Sequence, residues 1–182
     1  EEKMPVMMHA AESQAEELFM REGLGSFAEG LRQRGIEWHA PGISTIEYLD
    51  RHGILQTKPL LAHCVTVDDK DLELIKQVGA AIAHCPKSNA KLGHGCAPFS
   101  NFISHGLNVG LGSDSVASNN TCDIFAEARF ATLLARMDWG SSPRVSKRSK
   151  LSEDTETIRA LRNGRATAPV TAEQSLFAAT LG

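Results

Sequence analysis

Histidine and carboxylate side chains end or follow short apolar runs at four places in the chain. His9 ends the first run and Glu12 follows three residues later, while His63, His84 and Asp114 each close a later run. A parallel α/β barrel builds its active site from residues at the carboxyl ends of its strands. If these runs are buried strands, the five side chains meet at one end of a sheet. The spacing therefore predicts a shared chemical site.

The residue types in this set suit a divalent metal and a proton transfer. Neutral imidazole nitrogens and carboxylate oxygens bind transition metals such as zinc. Glu12 lies where a carboxylate can take a proton from a water molecule and pass it to a leaving group. A lone histidine is more often an ordinary core or surface residue. Three histidines and one aspartate at four separate strand ends are poorly explained by coincidence. We therefore predict that His9, Glu12, His63 and Asp114 are metal and proton-transfer residues of a hydrolase.

The cysteines indicate reduced thiols rather than a disulfide framework or a thiolate metal site. They are Cys64, Cys85, Cys96 and Cys122, and no two of them have Cys-x-x-Cys spacing. Reduced thiols in a cytoplasmic protein explain them best. Consecutive side chains of a strand point to opposite faces, so cysteines next to site histidines are expected to face the surrounding helices. No Gly-x-Ser-x-Gly elbow supports a serine nucleophile beside Asp114.

Strand and helix patterns alternate along the chain and must position these side chains. Buried strands are predicted at residues 5–9, 60–64, 80–85 and 107–111, and Pro86 is predicted to end the third of them. Helices are predicted at residues 12–23, 27–34, 46–52, 98–105, 122–137, 152–163 and 171–180, with a surface loop at 138–150. A further helix carries Leu72, Ile75 and Val78, with Thr66 or Asp68 as its predicted N-cap and Gly79 as its predicted end. Ser26 and Asn120 are the predicted N-caps of the helix at 27–34 and of the long helix at 122–137. This alternation indicates βαβ units and a parallel sheet of the α/β class.

Composition fits one globular domain and excludes several function classes. The chain has 182 residues, of which 42% are hydrophobic and 23% charged, with a net charge of −3. This charge provides no basic footprint for nucleic acid and no polybasic patch for a membrane surface. No apolar segment approaches the roughly 20 residues that span a bilayer, and the first residues do not read as a signal peptide. We expect a cytoplasmic protein without nucleic-acid or membrane partners.

Four motifs together resemble one enzyme family. They are His-Ala-Ala-Glu at 9–12, Ala-His-Cys-Val at 62–65, His-Cys-Pro-Lys-Ser-Asn at 84–89 and Gly-Ser-Asp-Ser at 112–115. The chain resembles the amidohydrolase superfamily over residues 4–137 and again over 170–182. Within it, the chain is most similar to the branch of S-adenosylhomocysteine/methylthioadenosine deaminases, guanine and cytosine deaminases, and triazine chlorohydrolases. The resemblance implies the C-terminal part of a (β/α)8 TIM-type barrel, strands 5 to 8 with their helices.

The resemblance also implies a role for each site residue. His9, on the fifth strand, would bind the metal, and Glu12 would be the proton shuttle. His63, on the sixth strand, would orient the attacking water and touch the metal in some members. Asp114, on the eighth strand, would bind the metal and take part in proton transfer. The metal would be zinc, or iron in some relatives.

A second group of residues is implied to lie beside the substrate. His84, Ser88 and Asn89 would belong to the loop after the seventh strand. The implied reaction is attack of metal-bound hydroxide on an electron-poor ring carbon of a purine-like or related heterocycle, with loss of ammonia. A chlorohydrolase or another C–N hydrolase of the same branch is the alternative. A homodimer is an expectation from the resemblance alone.

The chain also departs from the family pattern. It contains no His-x-His pair, which supplies two metal ligands from the family's first strand. A complete barrel needs about 250 residues. We therefore expect residues 1–182 to be a partial barrel domain without the N-terminal half and the outer β-sandwich. Such a fragment is expected to be inactive alone, so an inactive remnant or assembly module is the alternative of another class. Trp38, His39 and His94 either line a pocket or pack in loops.

Overall fold

The computed structural model describes residues 4–141 and 170–180. Short strands and helices alternate along the described part of the chain. Their bounds are β1 Met7–Ala10, α1 Gln14–Glu22, α2 Gly25–Gln33, α3 Thr45–Arg51, a 3-10 turn at Leu55–Thr57, β2 Leu60–His63, α4 Asp69–Val78, β3 Ala81–His84, α5 Pro86–Lys91, α6 Phe99–Ser104, β4 Asn108–Leu111, α7 Val116–Asn119, α8 Ile124–Ser141 and α9 Ala172–Thr180. None of the helices described is long and apolar enough to cross a membrane.

The four strands form one parallel sheet in the order β1-β2-β3-β4. Ala10 pairs with His63, and His84 pairs with Leu111, so the carboxyl ends of the strands lie level. Parallel strands need crossover connections, and here helices fill them. The predicted α/β class with a parallel sheet is confirmed.

The hydrophobic core contains apolar side chains of both the sheet and the helices. Leu61 of β2 and Ile82 of β3 are fully buried in one cluster with Leu72 and Ile75 of α4 and Phe102 of α6. Each of these aliphatic side chains contributes about 1.5–3 kcal/mol when it is removed from water. The core therefore holds the helices against the strands that carry the histidines.

The first strand differs from the predicted buried strand. Met7 is 73% exposed, and His9 is exposed as well. The reason is that β1 is an edge strand of the described sheet and has a partner on one side only. An apolar run in the sequence indicates what a strand can bury, but the position of the strand in the sheet decides what it does bury.

Two predicted helix caps are wrong. Helix α2 begins at Gly25 after Leu24, and this end has no side-chain cap, so Ser26 lies inside the first turn. Asn120 does not begin the long helix, because it ends α7 in the left-handed conformation with φ 78°. The backbone N–H of Ala126 donates to the carboxylate of Asp123, which caps α8 instead.

Two short helices were missed, and one predicted loop begins later. Pro86 ends β3 but also begins α5, where its fixed φ suits the first helical position. Helix α7 follows Asp114 within the segment that had no predicted element. Helix α8 continues to Ser141, so residues 138–141 are helical. The rest of the predicted loop and the predicted helix at 152–163 lie outside the described residues, whereas the helix predicted at 171–180 is confirmed as α9.

Helix α4 begins with a capping box. The backbone N–H of Asp71 donates to the Asp68 carboxylate at 3.0 Å, and the N–H of Asp68 donates to the Asp71 carboxylate at 3.2 Å. These bonds satisfy two backbone donors that the first turn leaves without partners. Gly79 ends the helix in the left-handed conformation, and β3 follows within two residues. Of the two residues predicted as the N-cap, Asp68 and not Thr66 caps the helix, and the predicted end at Gly79 is confirmed.

We predict that Asp68→Ala lowers the free energy of unfolding by about 1 kcal/mol, because the cap acceptor is lost. Asp68→Asn is the matched control, since asparagine keeps the acceptor and removes only the charge that faces Arg21 at 3.6 Å. It should stay within a few tenths of a kcal/mol of the wild type, because an exposed ion pair stabilises little. Urea unfolding measures both variants. An equal loss in both would assign the effect to the ion pair and contradict the prediction.

Candidate active site

The backbone turns sharply where the strands end. His63 at the end of β2, Cys64 directly after it and Asp114 after β4 have φ of 73°, 47° and 58°. Ala11 after β1 has φ 51°. Residues other than glycine in the left-handed region cost on the order of 1–3 kcal/mol, and they cluster at functional sites. The strained turns therefore mark the carboxyl end of the sheet as the place to look for function.

Three of the predicted site residues converge there. One nitrogen each from His9 and His63 and one carboxylate oxygen of Asp114 lie within 4.8 Å of one another. The two imidazole rings stack with centroids 5.1 Å apart. Two neutral nitrogens and an anionic oxygen are a donor set that zinc accepts. The geometry of these residues therefore fits a divalent transition metal.

The environment of His63 leaves one ring nitrogen available. His63 is fully buried, and its Nδ1 lies 2.8 Å from Oδ1 of Asn89. The amide oxygen can only accept, so Nδ1 carries the proton and donates it to Asn89. Nε2 then has a free lone pair, and it is buried without a hydrogen-bond partner. A buried nitrogen in this state fits a metal or a bound water, because an unpaired polar atom is costly.

Two hydroxyl groups hold the Asp114 carboxylate. Oγ of Ser88 and Oγ of Ser118 each donate to Oδ2 of Asp114 at 2.6 Å. Burial raises the pKa of Asp114, but these hydrogen bonds outweigh it, and the pKa falls to about 2. Asp114 is therefore ionised at neutral pH and keeps a fixed orientation. A ligand carboxylate needs both properties.

Glu12 lies beside the buried nitrogen of His63. Its Oε1 is 3.6 Å from Nε2 of His63 and 3.3 Å from Nδ1 of His94. A carboxylate at this distance can exchange a proton with a group bound between it and His63. His94 was one of three residues left open between a pocket and loop packing, and the structure brings it to Glu12.

The turn that carries Glu12 is held by a second carboxylate. Glu16 accepts the backbone N–H groups of Ala11 and Glu12, each at 2.8 Å. The hydroxyl of Thr45 in α3 donates to the same carboxylate at 2.7 Å. Glu16 lies within the helix predicted at residues 12–23, and no role in the site was predicted for it. The spacing between Glu12 and Glu16 could have indicated the contact, but Thr45 is too far along the chain to be inferred.

The three residues predicted beside the substrate are all buried. His84 is 2% exposed and stacks on Phe99 with centroids 4.9 Å apart. Burial, and then the charge that His63 can carry, lowers the pKa of His84 to about 3, so it is neutral at physiological pH. Ser88 and Asn89 direct their polar atoms to Asp114 and His63. Substrate contact by these three residues stays a prediction, and the observed hydrogen bonds of Ser88 and Asn89 hold Asp114 and His63.

Two further residues lie away from this group. Trp38 stacks on Phe19 with centroids 4.4 Å apart and lines a cavity of about 320 Å³ that contains none of the predicted site residues. His39 is largely exposed and lies 3.4 Å from a carboxylate oxygen of Glu37. In the described part of the chain, the contacts of these two rings are with Phe19 and Glu37 and not with His9, His63 or Asp114. Trp38 therefore lines a pocket apart from the predicted site residues, whereas His39 lies exposed in a loop.

The thiols take no part in the three-ligand group. Cys64 and Cys85 are buried, while Cys96 and Cys122 are exposed, and all four are free. Burial raises the pKa of Cys64 far above its usual range and that of Cys85 to about 12. The group of metal-ligand atoms that converges in the described part of the chain contains no cysteine. This agrees with the prediction that the histidines, and not the cysteines, form the site.

Comparison with known proteins agrees with this arrangement. The model of the amidohydrolase family matches residues 1–152. The 5-methylthioadenosine/S-adenosylhomocysteine deaminase of Pyrococcus abyssi is 38% identical over 132 residues, which are 72% of this chain and 27% of that enzyme. The enzyme of the same name from Pelotomaculum thermopropionicum is 42% identical over 99 residues, 54% of this chain and 23% of that enzyme. The chain thus spans about a quarter of the length of these curated relatives.

Solved structures share the fold. An adenosine deaminase from Xanthomonas campestris with bound zinc superposes with a TM-score of 0.64 at 27% identity, covering 98% of this chain and 31% of that one. A guanine deaminase from C. acetobutylicum gives a TM-score of 0.65 at 23% identity and covers 98% of this chain and 34% of that one. The resemblance predicted from the motifs is confirmed. Because the family model matches most of its residues, the chain belongs to the amidohydrolase family.

Proposed function

We propose that this chain carries active-site residues of a metal-dependent aminohydrolase, a deaminase that acts on a purine-like heterocycle. The observation that carries the proposal is the convergence of His9, His63 and Asp114 with Glu12 beside them. Relatives named 5-methylthioadenosine/S-adenosylhomocysteine deaminase and 5'-deoxyadenosine deaminase support an adenine-containing substrate. The bound zinc of the Xanthomonas campestris adenosine deaminase supports zinc over iron.

We propose that β1 to β4 correspond to strands 5 to 8 of a (β/α)8 barrel and that residues 1–182 form a partial barrel domain. The parallel order and the helix between each pair of strands support this. The exposed edge of β1, where Met7 faces solvent, is the edge that a further strand would cover. A site open on this side would bind metal weakly when the 182 residues are isolated.

The residues of this chain divide the chemistry between them. His9, His63 and Asp114 would hold the metal, which when bound polarises a water molecule and lowers its pKa. Glu12 takes a proton from the water and delivers it to a ring nitrogen of the substrate. The hydroxyl group that remains of the water adds to the ring carbon that carries the amino group. Its proton passes to the amino nitrogen, and the C–N bond breaks to release ammonia and leave a carbonyl on the ring. We place the substrate beside α5, the helix that follows His84. Ser88 and Asn89 of this helix make hydrogen bonds that keep Asp114 and His63 in place.

A chlorohydrolase of the same branch is the second candidate. A triazine hydrolase variant superposes with a TM-score of 0.58 at 25% identity over 77% of this chain. The ligand residues activate water for either leaving group, so they do not choose between ammonia and chloride. An inactive remnant or assembly module is the candidate of another class, and it predicts no tight metal binding. The four free thiols support a reducing compartment such as the cytoplasm. A homodimer is proposed from the family resemblance alone.

We predict that His63→Ala and Asp114→Ala each weaken zinc binding more than about 100-fold, since loss of an outer partner of a ligand alone costs 10–100-fold. Competition with a chromophoric chelator measures the zinc affinity, and the protein used is the full-length gene product rather than the isolated 182 residues. His39→Ala is the control, because this ring is exposed and pairs with Glu37 only. Unchanged affinity in both ligand variants would refute the metal assignment. Absence of zinc from the wild type would favour the remnant.

In the full-length enzyme, Glu12→Gln is expected to lower kcat by about 10²–10⁴-fold, the usual contribution of a general acid–base group. Zinc content should stay at the wild-type level, because Glu12 is not among the three converging ligands. Glu22→Gln, an exposed change at the end of the same segment, is the control. Near wild-type turnover by Glu12→Gln would show that another group transfers the proton.

The leaving group is decided by product release from a panel of compounds. We expect ammonia from 5'-deoxyadenosine, methylthioadenosine or S-adenosylhomocysteine, and no chloride from atrazine. A coupled glutamate dehydrogenase assay detects ammonia, and ion chromatography detects chloride. Chloride release without ammonia release would replace the deaminase by the chlorohydrolase. The isolated 182 residues are expected to give neither product.

A further inference from the structure

A buried carboxylate in α8 contacts two segments that both lead to Asp114. Glu127 is 0% exposed. Its Oε2 accepts the backbone N–H of Lys87 at 3.1 Å, and its Oε1 accepts the side-chain amide of Asn119 at 2.7 Å. Nζ of Lys87 lies 3.7 Å from Oε1. The carboxylate thus joins α8 to the start of α5 and to the end of α7.

The first contact leads to one hydroxyl that holds Asp114. Lys87 directly precedes Ser88, and Oγ of Ser88 donates to Oδ2 of Asp114 at 2.6 Å. The bond from the Lys87 N–H to Glu127 therefore fixes the backbone next to this donor. A shift of α5 by less than an ångström would lengthen the hydroxyl contact beyond hydrogen-bond distance.

The second contact leads to the other hydroxyl and to the backbone of Asp114 itself. The Asn119 amide donates to Glu127 and also to the carbonyl of Ser113 at 2.6 Å. Asn119 follows Ser118, whose Oγ is the second donor to Oδ2 of Asp114. Asp114 between these groups has the left-handed φ of 58°. The strained turn is therefore held from both sides by a network that begins at Glu127.

A carboxylate at this position is not explained by helix packing alone. Burying a charge is costly unless it is paired and hydrogen-bonded, and an apolar side chain would fill the same space. Glu127 uses both oxygens on donors from two different segments. An apolar side chain at this position would not provide the hydrogen bonds that link α5 to α7.

We propose that Glu127 is a positioning residue for the metal site, and that it sets the orientation of the Asp114 carboxylate by joining the segments that carry Ser88 and Ser118. This inference rests on the proposed function, because it assigns Asp114 to the metal. Glu127 itself touches neither metal nor substrate in this scheme. Its loss should change metal binding through Asp114.

Asp71 provides a matched control for a purely structural role. It is 1% exposed, and its carboxylate also accepts one side-chain and one backbone donor, Oγ of Ser44 and the N–H of Asp68. These bonds stabilise the starts of α3 and α4. Asp71→Asn should therefore lower the thermal midpoint as Glu127→Gln does, without the effect on the metal.

The experiment compares Glu127→Gln, Glu127→Ala and Asp71→Asn in the full-length gene product. Chelator competition should show zinc affinity about 10-fold weaker for Glu127→Gln, which keeps one acceptor, and about 100-fold weaker for Glu127→Ala. Asp71→Asn should match the wild type within twofold. Hydrogen–deuterium exchange of the metal-free protein should be faster over residues 113–119 in both Glu127 variants only.

Each readout can overturn the inference by itself. Equal zinc affinity in Glu127→Ala and Asp71→Asn would leave Glu127 a merely structural residue. Unchanged exchange over residues 113–119 in Glu127→Ala would show that Glu127 does not hold the Asp114 turn. If the wild type binds no zinc, the proposed function fails, and the exchange measurement still decides whether Glu127 holds this segment.

Discussion

The parallel register of four short strands is the constraint on which the site depends. Ala10 pairs with His63 and His84 with Leu111, so groups from distant parts of the chain emerge at one edge of the sheet. Side chains alternate along a strand, so a slip of one residue would turn His63 away from His9. The buried Leu61 and Ile82 oppose such a slip, because it would move them out of the core. Packing below the site therefore specifies the geometry of the site.

Neutral hydrogen-bonding groups orient the predicted ligands above this sheet. Asn89 fixes the proton of His63 on Nδ1, while Ser88 and Ser118 hold one oxygen of Asp114. Neutral donors favour the ionised carboxylate without adding a positive charge that would repel a cation. The negative charge of Asp114 then stays available to a metal. The burial of Ser88 and Asn89 is thus part of the chemistry of their neighbours.

Local signals in the sequence predicted much of this, and contacts between distant residues were the part that they missed. The strand ends at His63 and His84, and the strand that precedes Asp114, follow from apolar runs. Gly79 ends a helix because it adopts a left-handed conformation easily. Asn120 is ambiguous for the same reason, since asparagine suits both ends of a helix. The contact of Glu127 with Lys87 spans 40 residues and has no periodic signature. Such pairings exist only once the sheet has brought the segments together.

The exposed edge of β1 and the proposed metal site are two aspects of one arrangement. His63 is fully buried by its neighbours, whereas His9 on the edge strand is exposed, so the converging group is covered on one side only. The residues that would hold a metal here are His9, His63 and Asp114, and the metal would supply polarisation of a water molecule. The uncovered side admits solvent, which weakens every electrostatic contact within the site. Any strand that covers Met7 would therefore both close a sheet edge and strengthen the attraction of Asp114 for a cation.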